Sequence, residues 1–63
     1  MWHDARSARY EKRIQECQSV TGLRVVLAQI VYLNLPEQDF TLLFGQLIPR
    51  RLEILKELNE RSR

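Results

Sequence analysis

The segment from Leu23 to Leu33 limits the possible folds of this chain more than any other feature. Its eleven residues carry a single charge, Arg24, and most of the others are apolar. If the segment is a helix, one face of it is apolar and consists of Leu23, Val26, Leu27 and Ile30. Much of the remaining helix surface is apolar as well, because of Val25, Val31, Tyr32 and Leu33. Its valine and isoleucine content would also suit a strand, and periodicity alone does not decide. We favour a helix, because eleven residues is long for a strand and no other segment could pair with it.

A helix that is apolar on most sides is normally surrounded by other structure. A chain of 63 residues offers only two thin neighbours, and a domain of this size buries only about 60% of its unfolded surface. The sequence therefore predicts an all-α fold, with three to four short helices in a small bundle that a second chain completes.

Start and stop signals divide the chain into four helical stretches within one domain, residues 1–63. We expect the helices at about 4–18, 22–33, 36–47 and 49–60. Ser19 or Thr21 can accept a hydrogen bond from the free N–H groups of the second helix. Pro36 suits the first position of the third helix, because an N–H at that position would have no hydrogen-bond acceptor within the helix. Pro49 predicts either a kink near Ile48 or a new helix that begins at the proline.

Composition argues against an enzyme and against a metalloprotein. Cys17 is the only cysteine, so no internal disulfide is possible, and one cysteine with His3 cannot supply the four ligands of structural zinc. Gly22 and Gly45 form no phosphate-binding loop. Met1-Trp2-His3 could bind copper or nickel through a free amino terminus, but so short a motif is more often accidental. We expect no cofactor, no metal, no catalytic residue and no small-molecule substrate.

No targeting or membrane segment is expected either. The residues that follow Met1 lack the apolar core of a signal peptide. The most apolar stretch, residues 20–35, is interrupted by Arg24, Gln29 and Asn34 and falls short of the ~20 residues that span a bilayer. The sequence thus predicts a soluble cytoplasmic protein without membrane contact.

Two groups of arginines could contact nucleic acid. Arg6, Arg9 and Arg13 recur at i, i+3 and i+7 and form a basic stripe on the first helix, while Arg50 and Arg51 form a second group. The net charge is only +2, so a solvated helix face is the favoured interpretation and either group alone would bind DNA weakly. A helix-turn-helix fits poorly, because a recognition helix must present polar side chains to the bases.

Several short motifs follow one another along the chain. They are Tyr10-x-x-Arg13, Cys17-Gln18-Ser19-Val20 leading into Leu23, Tyr32, Glu37-Gln38-Asp39, Phe44 and Arg50-Arg51-x-Glu53. In this order they resemble the Hha/YmoA family of bacterial nucleoid modulators, over about residues 10–53. Where the family has Ala-Ala-Asp-His-Arg, this chain has Gln46-Leu47-Ile48-Pro49-Arg50, which lacks the acidic residue.

The resemblance implies a small all-helical protein that associates with H-NS, a nucleoid protein bound to DNA. Members of the family are thought to dock acidic side chains onto basic residues of the H-NS dimerisation domain. By resemblance, Glu37 and Asp39 are the matching positions. Together with Val26, Ile30 and Tyr32 of the second helix they make up the predicted partner-binding surface.

Two functional interpretations stay open. In the first, the chain is a protein-binding regulator in the nucleoid, which joins an H-NS-like partner, modulates transcription and touches DNA weakly or only through that partner. In the second, the helix within residues 20–35 packs against its own copy, and the homo-oligomer acts as a scaffold or a partner-neutralising subunit without DNA contact.

Overall fold

The computed structural model describes residues 1–61, and these form helices and connecting turns with no strand among them. The helices are α1 (Ala5–Glu16), α2 (Val20–Val31), α3 (Glu37–Leu42), a π-helical segment (Leu43–Leu47) and α4 (Ile48–Arg61). The predicted all-α class is confirmed. Completion by a second chain stays a prediction.

The first two helices begin at side-chain caps. The Asp4 carboxylate accepts a hydrogen bond from the Arg6 N–H at 2.8 Å, and the Ser19 hydroxyl accepts one from the Gly22 N–H at 3.0 Å. Each cap residue has extended backbone angles, as an N-cap requires. Because Ser19 and not Thr21 is the cap, α2 begins two residues before the predicted position.

A tight turn joins α2 to α3. Asn34 adopts a left-handed backbone with φ of 52°, a conformation that asparagine tolerates better than most residues. Leu35 next to it is buried at 8% exposure, which fixes the turn on the body of the domain. Pro36 then precedes the first helical residue, Glu37.

The backbone from Glu37 to Arg61 stays helical past Pro49, so no separate helix begins at the proline. Pro49 is the second residue of α4. It has no N–H to donate to the carbonyl of Gly45, four residues earlier, and in a regular α-helix its ring would also clash with that carbonyl. The wider π turn lies directly before this point, and the residues that flank it keep right-handed helical angles. The interruption predicted near Ile48 is therefore a change in helix winding.

The core lies where α1 and α2 pack against this long helical region. Its buried apolar side chains are Ile14, Leu23, Val26, Ile30, Leu35, Leu43, Ile48 and Leu55. Val26 is 7% exposed and Ile30 0%, so their predicted place on a partner surface is wrong. The physical reason is that α1 and α4 both pack against α2 within the same chain.

Candidate protein-interaction surface

The outward side of α2 carries exposed apolar side chains. Val25 is 54% exposed, Val31 50% and Tyr32 86%. No residue from Val25 to Pro36 is charged, so this surface has no ionised side chain of its own to keep it hydrated. Exposed apolar side chains without charged neighbours on the same segment are typical of a protein contact. Of the three α2 residues predicted to bind a partner, only Tyr32 lies outside the core.

A groove runs between α2 and α4, next to this exposed side. Its lining is aliphatic, and Arg24 from α2 and Lys56 from α4 lie at its edges; the apolar residues are Val20, Leu23, Leu27, Ile48 and Leu52. The cavity volume is about 200 Å³. Val20, Arg24, Leu27 and Val31 follow at i, i+4, i+7 and i+11, so Val31 extends the α2 wall of the groove.

Asp39 is buried and engaged inside the chain, which corrects its predicted contact with a partner. Its carboxylate is 0% exposed. It accepts hydrogen bonds from the N–H of His3 at 3.1 Å to each oxygen, from the N–H of Asp4 at 3.0 Å and from the Ser7 hydroxyl at 2.7 Å. The group thus binds N–H groups at the start of α1 from a position in α3. No partner can reach it without breaking this network.

The environment of Asp39 favours the ionised form of its carboxylate. Burial raises the pKa of Asp39, but the hydrogen bonds from Ser7, His3 and Asp4 outweigh it, and the pKa lies below its ordinary value. Glu37, in contrast, is exposed in the first turn of α3. It is the acidic residue of the predicted pair that a partner could contact.

The α1 arginines lie on the surface but are not equivalent. Arg6 is bound to the carboxylate of Asp4, with Nη2 to Oδ2 at 2.9 Å, and this pairing lowers the pKa of Asp4. The guanidinium of Arg13 lies over the ring of Tyr10, 5.3 Å from its centre. Arg9 and Arg13 are exposed and have no carboxylate partner among residues 1–61. They remain the α1 candidates for phosphate contact.

Arg50 and Arg51 differ in role although they are neighbours. The Arg51 guanidinium donates to the Cys17 carbonyl from Nε at 3.1 Å and from Nη2 at 2.6 Å, at the C-terminal end of α1. This contact satisfies a carbonyl that the helix leaves unpaired. Arg51 therefore has a structural role that its predicted role in nucleic-acid binding omitted, while Arg50 is exposed.

Two other contacts were not anticipated from the sequence. The Trp2 indole Nε1 donates to the Glu11 carboxylate at 3.2 Å, and its ring packs against the core. The thiol of Cys17, the residue that follows α1, donates to the Arg13 carbonyl in the last turn of that helix at 3.2 Å. The Trp2 contact joins residues nine positions apart, and no local motif predicts it; the Cys17 contact is local and joins residues four positions apart.

The part of the chain that the structure describes, residues 1–61, contains no group of three or more histidine, cysteine, aspartate or glutamate side chains arranged to hold a metal ion. Nor do its helices include one with the length and apolarity needed to cross a membrane.

Comparison with known protein families, characterised proteins and solved structures finds no match for this chain.

Proposed function

We propose that the chain is a small helical protein-binding regulator that contacts its partner through α2. The observation that carries this proposal is the exposed, uncharged side of the helix, with Val25, Val31 and Tyr32 each at least half exposed. Burial of such side chains against a partner would contribute about 25 cal/mol for each Å² of apolar surface removed from water. The function is one of binding, and we assign no catalytic step to it.

The partner that we propose is a DNA-bound nucleoid protein of the H-NS type, whose effect on transcription the chain modulates. The resemblance to the Hha/YmoA family supports this choice, and Glu37 remains an exposed acidic residue for the contact. Arg9, Arg13 and Arg50 would add weak phosphate contacts once the partner holds the chain near DNA. The protein would then act in the nucleoid.

Binding to a purified H-NS-type dimerisation domain tests the proposal. We expect calorimetry to detect an interaction in the micromolar range, which Val25→Asp and Tyr32→Asp each weaken about tenfold or more by placing a charge in the contact. Ala8→Asp is the matched control, because it adds the same charge at an exposed position of α1. Absence of binding at tens of micromolar, or equal losses in all three variants, would contradict the proposal.

Self-association is the second candidate function, and the absence of charge on the same side of α2 favours it. Two copies could bring these sides together without like-charge repulsion, to form a symmetric scaffold or a partner-neutralising oligomer. Light scattering over a tenfold concentration range distinguishes the two. A concentration-independent oligomer that Val25→Asp dissociates would support self-association, and a monomer throughout would exclude it.

A further inference from the structure

The groove between α2 and α4 has an apolar floor and basic edges. Leu23 and Ile48 are almost fully buried at its base, at 2% and 5% exposure, while Val20, Leu27 and Leu52 are partly exposed along its walls. Arg24 and Lys56 stand on opposite helices at its edges. Among residues 1–61, none of those that line the groove is acidic.

Neither basic residue is in an ion pair within the described part of the chain. Neither Arg24 nor Lys56 has an ion pair or a side-chain hydrogen bond with another of residues 1–61. Residues 20–31 of α2 include no acidic side chain at all. Arg6 and Arg51 are different, because each is held by an oxygen of the same chain. On α4, Glu53 and Glu60 lie one helical turn from Lys56, so the positive charge is least compensated at Arg24, on the α2 edge of the apolar floor.

We infer that the α2–α4 groove binds an acidic amphipathic helix of the partner protein. The apolar face of such a helix would contact the aliphatic lining, and its carboxylates would reach Arg24 and Lys56 at the edges. This inference rests on the proposed protein-binding function and adds the chemistry of the partner segment. In this complex one row of α2 side chains would form one wall of the binding groove; the row consists of Val20, Arg24, Leu27 and Val31.

The size of the groove favours a side-chain anchor from a protein. Its volume of about 200 Å³ is below the ~300–1,000 Å³ typical of small-molecule sites. One large apolar side chain inserted into a pocket is the usual centre of a protein contact. Nucleic acid fits less well, because phosphates would meet the charges at the edges but leave the aliphatic floor without a partner.

The test uses three synthetic peptides of about 15 residues, a length at which a helix can form on binding. All three have leucines at helical spacing, and the flanking positions are glutamate, glutamine or lysine. Calorimetry measures their affinity for the wild-type chain and for the double variant Arg24→Glu/Lys56→Glu. Lys12→Glu/Arg61→Glu is the matched control, since it makes the same change of charge at two exposed positions that do not line the groove. Circular dichroism confirms that each variant is folded.

We expect the glutamate peptide to bind the wild-type chain at roughly 10–100 µM and the glutamine and lysine peptides to bind about tenfold more weakly. The double variant Arg24→Glu/Lys56→Glu should no longer bind the glutamate peptide and should bind the lysine peptide instead, while the control variant Lys12→Glu/Arg61→Glu keeps the wild-type order of affinities. Higher salt should weaken the glutamate complex, because the charges at the edges are partly exposed.

Three outcomes would overturn the inference. One is a glutamate peptide that does not bind, or that binds equally to both double variants. Another is a groove that contacts a second copy, seen as an oligomer that Arg24→Glu/Lys56→Glu dissociates. The third is binding of duplex DNA, and not of peptide, through Arg24 and Lys56. If the H-NS-type partner still binds the groove variant while Val25→Asp abolishes binding, only this inference fails and the proposed function stands.

Discussion

Asp39 shows how one side chain can connect two distant parts of a small helical protein. It lies in the first turn of α3, yet its carboxylate accepts hydrogen bonds from the backbone of His3 and Asp4 and from the Ser7 hydroxyl. Ser7 is itself 0% exposed, so its hydroxyl depends on this acceptor. The residue thus supports the start of α1 from another helix, in addition to the local cap that Asp4 provides.

Replacement of Asp39 by alanine should therefore destabilise the fold strongly for a single change. The buried Ser7 hydroxyl and the N–H groups of His3 and Asp4 would lose their acceptor, and unsatisfied buried donors are costly. We expect the melting temperature to fall by at least about 5 °C. Glu37→Ala is the control, because Glu37 is exposed two residues earlier; a fall of similar size there would contradict the structural role of Asp39.

The same carboxylate should make stability depend on pH in the acid range. The pKa of Asp39 in the folded chain lies below its ordinary value, so its contribution is complete above that ordinary value and is lost as pH falls through the folded pKa. Asp4 adds to the trend in the same direction. Urea unfolding between about pH 5 and about pH 3 should show a smaller loss of stability in Asp39→Asn than in the wild type. If the free energy of unfolding fell equally with pH in Asp39→Asn and in the wild type, this prediction would be contradicted.

At the scale of elements, the π segment shows how the chain accommodates a proline inside a long helix. Residues 37–61 form 25 consecutive helical positions, and the winding widens where Pro49 removes a donor. Gly45 lies in this segment, exposed, and a β-carbon built on it would have no neighbour within 4 Å. Its lack of a side chain is therefore not needed for packing.

Gly45→Ala should stabilise the protein. Alanine reduces the freedom of the unfolded chain in an already helical backbone, and we expect a gain of about 0.5–1 kcal/mol in the free energy of unfolding. Gly22→Ala is the matched comparison, because its β-carbon would lie 3.2 Å from the Ser19 hydroxyl oxygen that caps α2; it should gain less or lose stability. Urea titration measures both, and a destabilised Gly45→Ala would show that the π turn needs glycine.

The sequence predicted the helices well where their signals are local. The helix at residues 22–33 and the start near Pro36 lie close to the observed α2 and α3, because caps and prolines act within one turn. The roles of Asp39 and Arg51 could not be predicted in this way, since their partners lie more than thirty positions away. Val26 and Ile30 were placed on a partner surface for the same reason: periodicity gives the apolar face of a helix, and not the identity of what covers it.

At the scale of the whole molecule, the long helical region sets the shape. Its 25 residues would span about 37 Å at 1.5 Å per residue, close to the 40 Å long axis of a body that measures 40 × 19 × 15 Å. Two short helices cover only part of this length. An elongated body of this size keeps much of its apolar surface on the outside, including the exposed side of α2.

A binding partner should therefore raise the stability of the chain. At a partner concentration about 100 times the dissociation constant, mass action adds about 2.7 kcal/mol to the free energy of unfolding. We expect the H-NS-type domain to raise the melting temperature by roughly 10 °C or more, and Val25→Asp to remove most of this gain. The melting temperature of the chain alone should not change over a tenfold concentration range; a rise would support self-association instead.

The hydrogen bonds of Asp39 also bear on the order of events in folding. They join residues 32 to 36 positions apart in the chain, and contacts of such separation require the intervening loop to close first. We therefore expect them to form after the transition state for folding. Stopped-flow measurements should then show that Asp39→Ala mainly accelerates unfolding and leaves the folding rate nearly unchanged. In that case this one carboxylate determines how long the native state persists, and has little effect on how fast it is reached.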